Sequence, residues 1–369
     1  MRAAGAEQGA GMNIVRDWIS RHVFALAIVV ALPAIFFTFA TVVNAVTPDG
    51  HAVIGWPGSG PCGGLATEHE RAACMVPTLS GLPLVFEWNW MPQGGDAARR
   101  QLAAVVADDV RARYGFAIPA ALLIFLSVPI IGVALAGLAT RDWRGWPYLG
   151  TGLAVLAGIA GLHFQDSHPV RLLAAEHLLW EAVLDGGYPF FGETAWNAVF
   201  AIVDVTTVAA MAASAALIAL FAGLAVRAGP TTLTTEDLRR RAGWFRTALG
   251  LGSVILVLAV AVTHGLMHWS SVLMAPGSRE PLQSLASSSA LYWGVIHSLT
   301  LVMVTVPTVT SIRLDVTRLP KGPDGEATVE ALEKAGLTFD VRRLALTLVT
   351  IAGPMLTGPA LDLVATLGP

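Results

Sequence analysis

Charge is what this chain has least of. Only 13% of its 369 residues are Asp, Glu, Lys or Arg, whereas 54% are apolar, and the mean hydropathy is +0.63. That balance excludes an ordinary soluble domain, whose charged fraction is about 25%. The net charge is -3, so the positive field that a nucleic-acid partner requires is absent. No Walker, HExxH, GxSxG or CxxCH pattern occurs, which leaves ATP hydrolysis, metalloproteolysis, serine hydrolysis and covalent haem attachment without support. Internal repetition is also missing: one long loop near the N-terminus has no later counterpart, unlike the inverted repeats common in secondary transporters. The sequence resembles no family closely enough to borrow a function.

What the chain does have is six apolar runs without a single Lys or Arg: residues 22–46, 114–139, 146–164, 195–226, 247–269 and 289–312. A helix needs about 20 residues to cross about 30 Å of hydrocarbon, and each run comes close to or exceeds that length. Because lipid offers no hydrogen-bond partners, helices are the structure these runs must take. The fold class expected is therefore all-α: a polytopic transmembrane bundle of six spans with the lipid bilayer as its first partner. Arg16 and Arg21 precede the first run as in a secretory signal, but an apolar stretch of 25 residues exceeds the usual 7 to 15, so it reads as an uncleaved anchor.

Cations retained on the cytoplasmic side set the orientation. With the N-terminus inside, 16 Lys and Arg fall in inner segments and 7 in outer ones. This gives a cytoplasmic segment 1–21, span 22–46, periplasmic loop 47–113, spans 2 to 6 within 114–312, cytoplasmic connector 313–343 and C-terminal segment 344–369. Trp143, Trp146 and Trp244 then mark the inner interface, and Trp196, Trp269 and Trp293 the outer one. Abundant Ala and Gly, with Arg far above Lys, point to a high-GC bacterium and hence to its inner membrane.

Cys62 and Cys74 are the only cysteines and share the first outer loop, where an oxidising periplasm favours one disulfide closing 13 residues. Two free thiols are the alternative. Farther along that loop, Asp96 caps a stretch in which Leu102, Val105, Val106 and Val110 form one stripe, predicting a helix that lies on the outer membrane face. Residues 168–184 predict a second such helix, with His177 and Glu181 on its polar side. On the inner side, Thr234 and Asp237 begin a short basic helix whose Arg239, Arg240 and Arg241 would attract anionic lipid. The C-terminal segment contains Pro354, Pro359 and Asp362, which favours a broken or interfacial element over a seventh span. Ala154, Gly158 and Gly161 in the third span, and the Ala-rich fourth span, suggest close packing at the centre. Pro307 should kink the sixth.

Six of nine histidines fall at or just within the outer boundary: His163, His168, His177, His264, His268 and His297. Asp204 is the one acid well inside a span, and an ionisable group in hydrocarbon is by default a functional candidate. Asp204, His264 and His297 stand on three different spans at similar depth and are expected to form one polar intramembrane site. That suggests a transport, channel or membrane-perturbing role. A second class uses His264, His268, His297 and His163 as ligands for haem or a transition metal in a redox or binding subunit. A third is an anchor that binds other membrane subunits through its periplasmic loop. No catalytic motif favours an enzyme.

Overall fold

The computed structural model describes residues 18–30, 54–55, 78–79, 82–83, 95–140, 148–150, 152–153, 193–227, 233–272, 276–318 and 349–361. Helix dominates. The elements are α1 (Trp18–Val30) and α6 (Val349–Leu361), with α2 (Gly95–Ala139), α3 (Glu193–Ala225), α4 (Thr235–Val272) and α5 (Pro276–Val316) between them. Three two-residue strands, β1 (Ile54–Gly55), β2 (Thr78–Leu79) and β3 (Leu82–Pro83), form one antiparallel ladder in the order β1-β2-β3. Pro83 cannot donate to a ladder and lies on the edge strand, where that deficiency is tolerated.

Four helices are long and apolar enough to cross a membrane: Ala103–Ala139, Ala201–Ala225, Thr235–Val272 and Leu282–Val316. These are the second, fourth, fifth and sixth apolar runs, and they make a multi-pass membrane protein. The first run is helical through Val30 and the third at 148–150 and 152–153; the remainder of both lies outside the described residues. So do Cys62, Cys74, His163, His168, His177 and most of the connector.

Two helices expected to be separate surface elements are instead continuous with spans. Of the predicted stripe Val105 is buried, Val106 half-buried and Val110 exposed; the buried face of α2 runs instead through Val105, Asp109, Ala112 and Phe116, and the helix is unbroken for 45 residues, about 67 Å. The basic helix after Thr234 likewise continues into the fifth span, giving an α4 of 38 residues. Its start is capped as the sequence implies, with the Asp237 amide donating to Thr234 Oγ1 at 3.1 Å. Nothing in either stretch stops a helix, so each continues into the apolar run that follows.

α3 and α4 lie between α2 and α5. The C-terminal half of α3 is enclosed: Ala213, Ala216, Leu217, Ala219, Leu220, Phe221, Ala222, Leu224 and Ala225 are all buried. Small side chains allow the neighbouring backbones to approach, so the central role expected of this span holds. α2 and α4 approach closely at Gly265, where a Cβ would meet the Gly115 carbonyl oxygen at 2.7 Å. That carbonyl is the one Pro119 leaves without its helical donor. A kink residue on one helix thus meets a missing side chain on the other.

α6 repeats the device. It runs past Pro354 and Pro359 without breaking and packs against α4 and α5. Pro354 frees the carbonyl of Thr350, and Ser253 Oγ of α4 donates to that oxygen at 2.7 Å. A Cβ on Gly294 of α5 would meet the Pro354 carbonyl oxygen at 2.5 Å. At Pro354 the helix continues against the spans because a neighbouring side chain supplies the missing donor.

Candidate functional site

Among the sequence-predicted residues, Asp204, His264 and His297 stand at comparable depth on three helices. Measured from the cluster of Arg227, Arg241 and Asp315 at the other end, the rise along each helix is about 34 Å to Asp204, about 34 Å to His264 and about 27 Å to His297. Their faces differ. Asp204 is exposed on α3 beside Val205 and Val208. His264 is buried in α4, its ring parallel to that of His268 at 5.8 Å between centroids. His297 is half-buried on α5 against the Trp293 ring at 5.6 Å. Among the described residues no group of three His, Cys, Asp or Glu side chains is placed to hold a metal ion.

Next to this level, α2 and α4 share a buried polar knot. Asp109 is buried and accepts a hydrogen bond from Trp269 Nε1 at 2.8 Å. It also pairs with Arg113 one turn on, whose guanidinium lies over the Trp269 ring at 5.7 Å. Phe116 stacks on that ring at 6.0 Å. A tryptophan expected at a membrane interface is thus walled in by protein, its N–H satisfied by a carboxylate that a cation neutralises. Arg279 reaches Asp108 at 4.0 Å and donates to the last α4 carbonyl, Val272 O, at 3.2 Å.

At the opposite end lies a cluster that sequence reasoning missed. Arg241, read as a lipid-facing cation, is 1% exposed. Its Nη1 donates to Asp315 Oδ2 at 2.6 Å, while Nη2 donates to the carbonyls of Leu224 at 2.6 Å and Val226 at 3.2 Å. Arg227 Nε donates to the other carboxylate oxygen at 3.3 Å. Ser311 Oγ donates to Ala225 O at 2.6 Å. The last carbonyls of α3 have no intrahelical donors, and here a buried cation from α4 and the Ser311 hydroxyl of α5 provide them. Two guanidiniums and one carboxylate leave one excess positive charge, placed where the helix dipole is negative.

The signal for this cluster was present as periodicity. Leu238, Arg241, Ala242 and Phe245 share the buried stripe of α4, and Thr308, Ser311, Ile312 and Asp315 that of α5. Reading a charged run as surface hid the first; stopping the sixth span at residue 312 hid the second.

α5 also carries unpaired polar atoms. The buried hydroxyl oxygens of Ser289, Ser298 and Thr305 have no hydrogen-bond partner among the described residues. Other hydroxyls in the spans are satisfied on their own helix, as Thr206, Thr263, Thr300 and Thr308 are by the carbonyl four residues back. Ser298 and Thr305, seven residues apart, share one face. Comparison with known proteins adds no analogy: no family model matches this chain, nor does any curated protein or solved structure.

Proposed function

We propose that this membrane protein conducts or transports a small polar solute, a proton or a cation, along α5, entering from the end that holds His264, His268 and His297. The observation that carries the reading is the pair of unpaired buried hydroxyls of Ser298 and Thr305, which share one face over about 10 Å of a spanning helix. Each such group is destabilising by about 1 to 3 kcal/mol unless a polar partner meets it. A passing solute is such a partner.

The cation distribution supports an N-terminus inside and the Ala- and Gly-rich, Arg-over-Lys composition a bacterial inner membrane, which makes the histidine end periplasmic and the Arg241–Asp315 cluster a cytoplasmic seal. Under that orientation a cysteine placed at Ser278 is labelled by an impermeant reagent in intact spheroplasts and one at Thr232 is not. The reverse pattern overturns it.

The functional test is flux into proteoliposomes carrying a proton-sensitive or cation-sensitive dye. Thr305→Val and Ser298→Ala should lower flux at least tenfold while thermal stability holds or rises, and Asp204→Asn should lower it without unfolding. Flux no greater than in empty vesicles, or unchanged in all three variants, would end this reading. The stacked His264 and His268 favour a second one, a metal or haem subunit. Absorbance near 400 nm and metal analysis of protein purified from cells, lost in His264→Ala, would establish it.

A further inference from the structure

The arginine run at the start of α4 divides three ways. Arg241 is consumed inside the protein, and Arg240 pairs with Asp237 at 3.3 Å. Arg239 is exposed, and one face of α4 continues from it through Gly243, Arg246, Gly250 and Val254, all exposed. Spacings of four, three, four and four residues keep these positions in line along the helix. A Cβ added at Gly243 or Gly250 would meet nothing within 4 Å. With no side chain at Gly243 and Gly250 the strip is an open furrow, with guanidinium-bearing residues at its end toward Thr235 and Val254 toward mid-span. It stops at α6, where Gly353 lies against Val257.

From Arg239 to Val254 the furrow is about 22 Å long, close to the length of a phospholipid with its headgroup. We propose that it is a binding site for one anionic phospholipid of the leaflet on the Asp315 side. Arg239 and Arg246 flank the phosphate, and an acyl chain lies over Gly250 against Val254. Complementary charge selects an anionic headgroup, since each arginine near a membrane surface favours acidic lipid about fivefold. The missing side chains at Gly243 and Gly250 select a chain that lies flat on the helix. Neither feature depends on the transport reading.

The test uses purified full-length protein in neutral detergent, following thermal unfolding as phosphatidylglycerol, phosphatidylcholine or inorganic phosphate is added. Phosphatidylglycerol alone should raise the melting temperature. The Arg239→Gln/Arg246→Gln pair should require about 25-fold more of it for the same rise. Gly243→Leu/Gly250→Leu, which keeps both charges and improves helix propensity, should lose the rise with its own melting temperature intact. Wild-type response in both double variants overturns the proposal. An equal rise with inorganic phosphate would mean a small-anion site, and a changed oligomeric state in the glycine variant would mean that a second copy occupies the furrow; either overturns it too.

Discussion

The two ends of the bundle use the same chemistry at different depth. At one, Arg241 caps the last carbonyls of α3 and pairs with Asp315 at 2.6 Å, the two side chains 1% and 0% exposed. At the other, Arg279 caps the last carbonyl of α4 and reaches Asp108 at 4.0 Å, with 26% and 38% exposure. Burial multiplies what a charge pair is worth when it is broken, because a stranded charge has no water to turn to. Solvent near Asp108 and Arg279 screens their attraction and compensates its loss. The Asp315 end is thus built as a fixed junction of three helices. The Asp109 end is held by one enclosed knot and one loose tie.

This contrast is broken most severely at Asp315. Asp315→Ala leaves two guanidiniums without their carboxylate and should destabilise by about 3 to 5 kcal/mol, read as a lowered melting temperature and loss of monodisperse protein. A melting temperature within a degree of wild type would show that the junction is not what holds α3, α4 and α5 together.

One turn from the Asp109 knot, Gly265→Ala drives a Cβ to 2.7 Å from the Gly115 carbonyl, and overpacking of that kind is destabilising by about 1 to 3 kcal/mol. Gly250→Ala on the same helix meets open space and should be neutral or stabilising, by up to about 1 kcal/mol. Equal effects in thermal unfolding would refute the close α2–α4 contact.

The smallest effect belongs to the loose tie. Asp108→Asn should change stability by no more than about 0.5 kcal/mol, and less at high salt. A loss comparable to that of Asp315→Ala, measured the same way, would erase the distinction between the ends.

Much of the fold was legible because apolar length is a local property. The runs at 114–139, 195–226, 247–269 and 289–312 became spanning helices, and Thr234 capped where its spacing with Asp237 said it would. Helix ends were less legible. Val105 and Val110 form a stripe on paper, but only the packed structure separates them: Val105 is buried on the side where Trp269 meets Asp109, and Val110 is exposed. Of the candidate site, similar depth followed from counting residues, but facing did not, and Asp204 turned out exposed while His264 is enclosed.

By itself the sequence determined that this chain lives in a membrane and where its main spanning helices run, because a hydrocarbon solvent acts on each segment independently of its neighbours. Tertiary structure decided which polar groups are satisfied. Arg241, Asp315, Ser253 and the carbonyl of Thr350 are partners across 74 and 97 residues of chain. Whether a buried charge or a proline-freed carbonyl is tolerable depends on what the adjoining helix presents at that height, and only the assembled bundle fixes that.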